Sequence, residues 1–221
     1  IVRLVGSEMC IRDRFYMDIE KNLSTISKKL SNYNAKLIPV IKNRTVEEVK
    51  EVYNCGFREF GENRLDDYFL HSDKFDDAVF HFIAPIQSRK IKVIFENFEF
   101  IHTVSRFKEI DLISKLDKKR KVLLQINIDK DPNKSGIDPD LIFEYFEYSK
   151  NSIDLPIGLM CIPNIQSDPR VVFSKMQSIN AELKKKYSEY VGELSMGMSD
   201  DYEIALDYGA TIIRVGSKIF T

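Results

Sequence analysis

The chain has 221 residues, of which 43% are hydrophobic and 30% charged, with a formal net charge of −1, a balance typical of a soluble globular protein. The near-zero charge argues against general nucleic-acid binding, and no apolar run reaches the roughly 18 residues that a membrane span needs. The three cysteines lie far apart, without a CxxC or a His/Cys cluster, which indicates neither a disulfide framework nor a metal site and favours a reducing cytoplasm.

The N-terminal segment differs in pattern from the remainder of the chain. Residues 1–14 show no hydrophobic period and resemble a translated sequencing-adaptor scar, so we predict a non-native leader there, against the alternative of a genuine disordered N-terminus. Apolar side chains then recur at helical spacing, at Ile19, Leu23, Ile26 and Leu30. This spacing predicts an amphipathic helix over Asp18–Ser31. We therefore expect the folded domain to span residues 17–221.

Beyond this helix, short apolar strands alternate with helices. Eight strands are predicted, at Leu37–Ile41, Phe57–Phe60, Val79–Ile83, Phe98–Val104, Val122–Ile128, within Ile153–Ile162, at Glu193–Met196 and at Thr211–Val215. Helix signals lie between them, such as the capping box from Thr45 to Glu48 and the C-terminal stop at Gly209. The alternation indicates an α/β protein with a parallel sheet. Eight units match a single-domain (β/α)8 barrel of the TIM type with one extra N-terminal helix.

A doubly wound open sheet is the alternative fold. Such a sheet binds its ligand where the strand order switches, and it needs a glycine-rich first turn. The first turn here is Lys42-Asn43-Arg44 and contains no glycine, which favours the barrel.

Two turns near the C-terminus predict an anion site. The strand Glu193–Met196 is followed by the loop Gly197–Ser199, with Ser199 as the predicted N-cap of the next helix. Gly216 and Ser217 open a further helix after the last strand. Free backbone N–H groups at helix N-termini bind anions, phosphate above all. Phosphate sites recur after the last two strands of such barrels.

A barrel's site residues lie at the C-terminal ends of its strands, which here are Lys42, Asn63, Ala84, Ser105, Asn127, Met160, Ser195 and Arg214. Lys42 shares an apolar face with Ile38 and Val40. Burial on that face would favour a neutral, nucleophilic amine suited to Schiff-base chemistry with an aldehyde. The alternative is an ordinary surface lysine in a loop.

Arg214 adds a fixed cation at the end of the last strand. An amine, a guanidinium and a phosphate site together fit pyridoxal phosphate, with Arg214 donating to an unprotonated ring nitrogen. The alternative for Arg214 is a structural ion pair. His81 and His102 lie in or beside apolar strands, and we interpret both as packed, hydrogen-bonded histidines without a catalytic role.

Seven motifs occur in an order that is typical of one family. They are Leu37-Ile-Pro-Val-Ile-Lys42, Phe60-Gly-Glu-Asn63, His81-Phe-Ile with Gln87-Ser88, Gln125-Ile-Asn127 with Lys134-Ser-Gly136, Gly158-Leu-Met160, Ser195-Met-Gly-Met-Ser-Asp-Asp201 and Arg214-Val-Gly216. Over residues 36–220 the chain resembles the pyridoxal phosphate homeostasis protein family, relatives of the N-terminal barrel of alanine racemase.

The resemblance implies a set of cofactor contacts, which we place at Lys42, Asn63, Met160, Ser195, Arg214, Gly216 and Ser217. Within this set, Lys42 would carry the cofactor and Arg214 would meet its ring nitrogen. The phosphate would lie at Ser195 and at the amides of Gly216 and Ser217. The chain departs from the family at Ala84, where glycine is usual, and at Arg89, where asparagine is usual.

Two functions are consistent with these residues. The first is an intracellular protein that binds pyridoxal phosphate through a lysine Schiff base and buffers or delivers it without substrate turnover. Pyridoxal-phosphate-dependent apo-enzymes are candidate recipients, and we expect a monomer. The second is an amino-acid racemase or lyase of the same barrel type. Racemisation needs proton transfer on both faces of the substrate, and in alanine racemase the opposing tyrosine comes from a C-terminal β domain beyond the barrel, which favours the first function. A pure interaction module would leave Lys42 and Arg214 unexplained.

Overall fold

Eight parallel strands form one sheet in the order β1-β8-β7-β6-β5-β4-β3-β2. The computed structural model describes the backbone of residues 5–221 and the side chains of residues 18–221. The strands are β1 Lys36–Pro39, β2 Glu59–Glu62, β3 Val79–Phe82, β4 Phe100–Val104, β5 Lys121–Gln125, β6 Gly158–Met160, β7 Glu193–Ser195 and β8 Ile212–Val215. The two outermost strands, β1 and β2, meet at a parallel bridge between Val40 and Gly61. This contact closes the sheet, and the predicted (β/α)8 barrel is confirmed.

The α-helices are α1 Val5–Leu30, α2 Val46–Asn54, α3 Leu65–Ser72, α4 Ile91–Asn97, α5 Phe107–Ile113, α6 Ile142–Ser152, α7 Pro169–Lys186, α8 Tyr202–Asp207 and α9 Ser217–Phe220. Helices α2 to α8 lie between consecutive strands, α1 precedes β1 and α9 follows β8. The predicted capping box is confirmed, because the Glu48 N–H donates to Thr45 Oγ1 at 3.2 Å and the Thr45 N–H donates to Glu48 Oε2 at 2.7 Å. Gly209 ends α8 with φ +82°, a conformation that glycine adopts without steric cost.

Helix α1 precedes the barrel as the predicted extra helix. It begins at Val5, ahead of the predicted start at Asp18. Residues 1–4 lie outside the described residues, and the leader proposed over 1–14 stays a prediction. Ile19 and Leu23 are buried in the apolar core, as the helical spacing indicates.

Hydrogen bonds join helix α1 to residues in and after helix α9. The side-chain amide of Asn22, in α1, donates to the carbonyl oxygens of Ile219 at 3.2 Å and Thr221 at 3.0 Å. Helix α1 therefore packs beside the short helix α9, and it also contacts α2 and β1.

The strands separate two environments by their alternation of side chains. Outward-facing residues such as Phe60, Ile101 and Leu194 join the helices in one apolar cluster. Positions between them on several strands carry polar side chains, among them His81 and His102, which are fully buried and make contacts across the barrel.

Gly158 allows β6 to approach β7. A Cβ atom at this position would lie 2.2 Å from the carbonyl oxygen of Glu193, so the strand would have to shift. We predict that Gly158→Ala lowers the free energy of unfolding by about 3 kcal/mol. Gly56→Ala is the control, because Gly56 has φ +94° but open space around it, which leaves a backbone cost of about 1 kcal/mol. Urea denaturation measures both, and equal losses would contradict the steric explanation.

Candidate functional site

A cavity of about 690 Å³ opens at the C-terminal ends of the strands, a volume typical of small-ligand sites. It is lined by Val40, Lys42, Asn43, Arg44, Asn63, Ile83, Ala84, Pro85, Ile162, Met198, Ser199, Asp200, Arg214, Gly216 and Ser217. Five of the seven predicted contacts are in this lining. Met160 and Ser195 are not, and both are fully buried. A direct contact of these two residues with a ligand stays a prediction.

Lys42 lies at the edge of the cavity and is exposed. The expectation that its amine is buried on an inward strand face is wrong. Strand β1 ends at Pro39, and the chain turns at Asn43, which has φ +56°, a left-handed conformation that asparagine tolerates. The turn carries Lys42 off the strand, so its amine is open to water and to an incoming ligand.

Side chains from two helices hold this turn in place. The Asn43 N–H donates to Asp67 Oδ2 at 3.1 Å, and Arg64 Nη1 donates to Asn43 Oδ1 at 3.2 Å. The Arg44 guanidinium lies 4.4 Å from the centroid of the Phe220 ring, in α9. The backbone that carries the cavity amine is therefore fixed from both sides.

Asn63 presents a polar atom that has no partner. Its amide oxygen Oδ1 is buried without a hydrogen bond within residues 18–221, a state that costs about 1–3 kcal/mol and indicates a donor on a bound ligand. Behind it, Glu62 Oε2 accepts from the Asn63 N–H at 3.3 Å, and Glu62 Oε1 lies 3.0 Å from His71 Nδ1. Burial raises the pKa of Glu62. His71 Nε2 lies 3.1 Å from the Arg44 carbonyl oxygen, so this buried pair links β2 to the turn after β1.

The loop between β7 and α8 forms another wall of the cavity. The N-cap prediction at Ser199 is wrong, because α8 begins after Asp201. Asp201 Oδ1 instead accepts from the Met198 N–H at 2.6 Å, which tightens the loop, and Ser199 Oγ accepts from the Lys218 N–H at 3.3 Å. Gly197 is required here, since it has φ +92° and a Cβ would lie 2.7 Å from Ala205 Cβ.

Backbone donors converge at the same wall. Among the described residues, the N–H groups of Ser199, Asp200, Gly216 and Ser217 donate to no protein acceptor, and all four residues line the cavity. Unpaired N–H groups of this kind bind phosphate or carboxylate oxygens. The anion site predicted from the two turns therefore has its donors in one place.

Arg214 is a buried cation with neutral partners. Its side chain is 3% exposed, Nη1 donates to Ser195 Oγ at 2.6 Å, and Nη2 donates to the Cys161 carbonyl oxygen at 3.0 Å. Burial lowers the pKa of Arg214 to about 10, so it is still charged at neutral pH. No carboxylate within residues 18–221 forms an ion pair with it, so the alternative of a structural ion pair is not observed. Its remaining N–H donors are free for a ligand.

A hydrogen-bonded series continues from Ser195 through the barrel interior. Ser195 Oγ lies 2.8 Å from His102 Nδ1, and His102 Nε2 lies 2.9 Å from His81 Nδ1. His81 Nε2 lies 2.8 Å from Glu59 Oε2, which also accepts from Lys36 Nζ at 2.5 Å. Both histidines are thus packed and hydrogen-bonded, as interpreted from the sequence. The series joins the cavity to the N-terminal ends of β1 and β2.

The series sets the charges of its members. Burial lowers the pKa of His81, against the opposing effect of Glu59, and lowers the pKa of His102 still further. The hydrogen bond from His81, helped by the Lys36 ammonium, lowers the pKa of Glu59 to about 2. At neutral pH the interior therefore holds two uncharged imidazoles between one carboxylate and one guanidinium.

Sequence reasoning missed part of this site. The loop residues Met198, Ser199 and Asp200 line the cavity. The sequence predicts an anion site at this loop, but these three residues are not among the predicted cofactor contacts. Within the described residues, no group of three or more His, Cys, Asp or Glu side chains could hold a metal ion, and no helix is long and apolar enough to cross a bilayer. The site thus combines an accessible amine, a buried cation, an unpaired amide oxygen and a set of anion-binding N–H groups.

Sequence comparisons find relatives along most of the chain. A pyridoxal phosphate homeostasis protein of Aquifex aeolicus is 34% identical over 199 residues, which cover 84% of this chain and 86% of that protein. A protein of the same name from Pasteurella multocida is 32% identical over 228 residues, 92% of this chain and 97% of that protein. No family model matches the chain.

Solved structures share the fold. PipY of Synechococcus elongatus, without PLP, superposes with a TM-score of 0.83 at 31% identity, over 92% of this chain and 100% of PipY. PipY with PLP bound gives 0.80 at 29% identity over the same shares. Alanine racemase from Bartonella henselae superposes with a TM-score of 0.71 at 11% identity, over 91% of this chain and 57% of the racemase chain. At this identity the similarity shows the fold alone.

The low pKa of Glu59 predicts a loss of stability in acid. A carboxylate whose pKa is about 2 in the folded state and 4.5 unfolded stabilises the fold above pH 4.5, and this contribution disappears as the pH falls toward 2. We expect the free energy of unfolding in urea to fall more between about pH 6 and pH 3 in the wild type than in Glu59→Gln. An equal fall in both proteins would contradict the assignment.

Proposed function

This chain belongs to the pyridoxal phosphate homeostasis protein family, and on that premise we propose that it binds pyridoxal 5'-phosphate and serves in its homeostasis. In this role it buffers or delivers the cofactor and turns over no substrate of its own. The observation that carries the proposal is the meeting of Lys42, Asn63 and Arg214 with four unpaired backbone N–H groups in one cavity. When bound, the cofactor supplies an electrophilic aldehyde.

Lys42 is the proposed attachment point. Its amine attacks the aldehyde carbon, and a C=N bond, the Schiff base, forms with loss of one water molecule. The position of Lys42 in the cavity lining supports this step, because it places the amine beside a bound ligand. The fixed turn around Asn43 limits the conformations that must be lost on binding.

The phosphate is proposed to lie at the N–H groups of Ser199, Asp200, Gly216 and Ser217. These donors stand at the loops after β7 and β8, where barrels commonly bind phosphate. Each hydrogen bond to a charged group contributes about 1.5–3 kcal/mol, so several of them together support tight binding. A predicted hydrogen bond from Ser195 to the same group would require its hydroxyl proton to turn away from His102 Nδ1, which lies 2.8 Å from Ser195 Oγ.

Arg214 and Asn63 are proposed to flank the pyridine ring. The Arg214 guanidinium has N–H donors but no hydrogen-bond acceptor. It therefore donates to a ring nitrogen that is itself unprotonated. A neutral ring nitrogen weakens the ring as an electron sink. Asn63 Oδ1 supplies an acceptor on its own side of the cavity, which supports a contact with a donor on the ligand.

The same geometry favours binding over turnover. Racemisation needs an acid or base on each face of the substrate carbon. Within the described residues the cavity lining has Lys42 and Asp200 as its ionisable side chains besides two arginines, and it contains no tyrosine, histidine or cysteine. The alternative, an amino-acid racemase or lyase of the same barrel type, would have to use the Asp200 carboxylate as the second proton carrier beside Lys42 in this lining.

The cellular setting is part of the same proposal. A buffer or carrier gives up its ligand to apo-enzymes that depend on pyridoxal phosphate, and the exposed position of Lys42 supports such a release. We propose that the chain works as a monomer. We place it in the reducing cytoplasm, because Cys55 and Cys161 are free thiols.

Borohydride reduction tests the attachment site. We expect protein mixed with pyridoxal phosphate to turn yellow and, after reduction, to carry the cofactor on the peptide that contains Lys42. Lys42→Ala is expected to lose both the absorbance band and the labelled peptide. Lys50→Ala, an exposed lysine on α2, is the control and is expected to keep them. A Lys42→Ala protein with the same band and the same labelled mass would refute the assignment.

Deuterium exchange tests the absence of turnover. We expect the loaded protein to leave the α-proton of L-alanine and L-lysine unexchanged in D2O and to release no CO2, because the described lining offers no tyrosine, histidine or cysteine as a proton carrier opposite Lys42. Added alanine racemase is the positive control, and Lys42→Ala gives the background. Exchange above that background would support the racemase or lyase alternative instead.

A further inference from the structure

The series between Glu59 and Arg214 has a defined direction. Glu59 is ionised at neutral pH and can only accept hydrogen bonds. His81 Nε2, 2.8 Å from Glu59 Oε2, must therefore be the donor of that bond. Because the His81 ring is neutral, its Nδ1 atom carries no proton and is an acceptor.

The same reasoning fixes the second ring. His102 Nε2 lies 2.9 Å from His81 Nδ1, so it must donate, and the neutral His102 ring then accepts at Nδ1. The Ser195 hydroxyl is 2.8 Å from that atom and donates its only proton to it. One carboxylate thus determines the tautomers of two histidines and the orientation of a hydroxyl.

At the end opposite Glu59, the series reaches Arg214. With its proton directed toward His102, the Ser195 oxygen turns its lone pairs to Arg214 Nη1, which lies 2.6 Å away. Each hydrogen bond of the series therefore points away from the guanidinium and toward Glu59. This orientation compensates a buried positive charge that touches no carboxylate within residues 18–221.

We propose that Glu59, His81, His102 and Ser195 are positioning residues that hold Arg214 against the cavity through a single direction of hydrogen bonds set by Glu59. Glu59 is itself ion-paired with Lys36 at 2.5 Å, so it acts on Arg214 from the opposite end of the barrel through the direction of the hydrogen bonds. The series does not conduct protons from the cavity, because its upper end is a guanidinium that has only donors and keeps its proton. The consequence for ligand affinity rests on the proposed function, whereas the direction of the series does not.

Nuclear magnetic resonance of the ligand-free protein tests the direction. In protein labelled with ¹⁵N-histidine, the three histidines are assigned through couplings to their backbones. We expect His81 and His102 both to be neutral with the proton on Nε2 at about pH 7. A proton on Nδ1 of either ring, or a doubly protonated ring, would overturn the proposal.

Two substitutions of Glu59 distinguish its role as a hydrogen-bond acceptor from its contribution to packing. Glu59→Gln keeps an oxygen that can accept from His81 and Lys36, so the Nε2 tautomers are expected to persist. Glu59→Leu removes the acceptor, and we expect the Nδ1-protonated form to appear in both rings. Unchanged tautomers in Glu59→Leu would overturn the role of Glu59. Because Glu59 is 36% exposed, both variants are expected to fold, which a thermal melt verifies.

Glu99→Leu is the matched control. Glu99 precedes β4, is 42% exposed, and pairs with Arg120 at 2.6 Å, so it is a similar ion-paired glutamate outside the series. Its substitution is expected to leave both histidine tautomers unchanged. A tautomer change in Glu99→Leu equal to that in Glu59→Leu would overturn the specific role of Glu59.

Titration with pyridoxal phosphate, followed by absorbance, tests the positioning of Arg214. We expect Glu59→Leu to bind roughly threefold to tenfold more weakly than the wild type, the effect of about one hydrogen bond, and Glu99→Leu to bind as the wild type does. Altered tautomers with unchanged affinity in Glu59→Leu would overturn the positioning role. A wild-type protein that binds no pyridoxal phosphate would refute the proposed function, whereas the spectra of the ligand-free protein would still decide the direction of the series.

Discussion

The burial of the Arg214 guanidinium is the constraint on which the site depends. Removing a charge from water costs several kcal/mol unless its donors are satisfied, and here the direct partners are two neutral oxygens from the ends of β6 and β7. The barrel meets this cost with polar side chains at inward positions of β2, β3, β4 and β7, where branched apolar residues usually pack. The interior therefore combines this polar series with buried apolar side chains such as Ile38, Leu123 and Ile212, which lie outside the apolar cluster between strands and helices.

This division depends on the alternation of side chains along each strand. In β3, His81 lies between Phe80 and Phe82, which both join the outer apolar cluster. A shift of one residue in register would place the imidazole among the helices and a phenyl ring in the interior. The apolar cluster thus fixes the register, and the register fixes the polar series. The loops at the C-terminal ends of the strands then add the amine and the anion-binding N–H groups without altering the core.

The sequence predicts the barrel and much of the cavity, because alternation and strand ends are local patterns. The exposure of Lys42 escaped prediction, since β1 ends at Pro39 and the left-handed turn at Asn43 is a matter of one dihedral angle. The polar series escaped it for another reason. His102 and Ser195 are 93 residues apart in the chain. In the sequence, neither residue has a pattern that distinguishes it from an ordinary buried residue. Only the closed sheet shows that they form one network.

The pairing of the first strand with the last has a consequence for how the protein is made. β1 pairs with β8 along Lys36–Pro39 and Ile212–Val215, so these strands cannot meet while the ribosome is still adding the residues between them. Lys42 follows one of them and Arg214 lies in the other. A nascent chain therefore has no complete cavity, and contacts so distant in sequence form late and slowly. The cavity is therefore complete only after β8 has been made and has paired with β1.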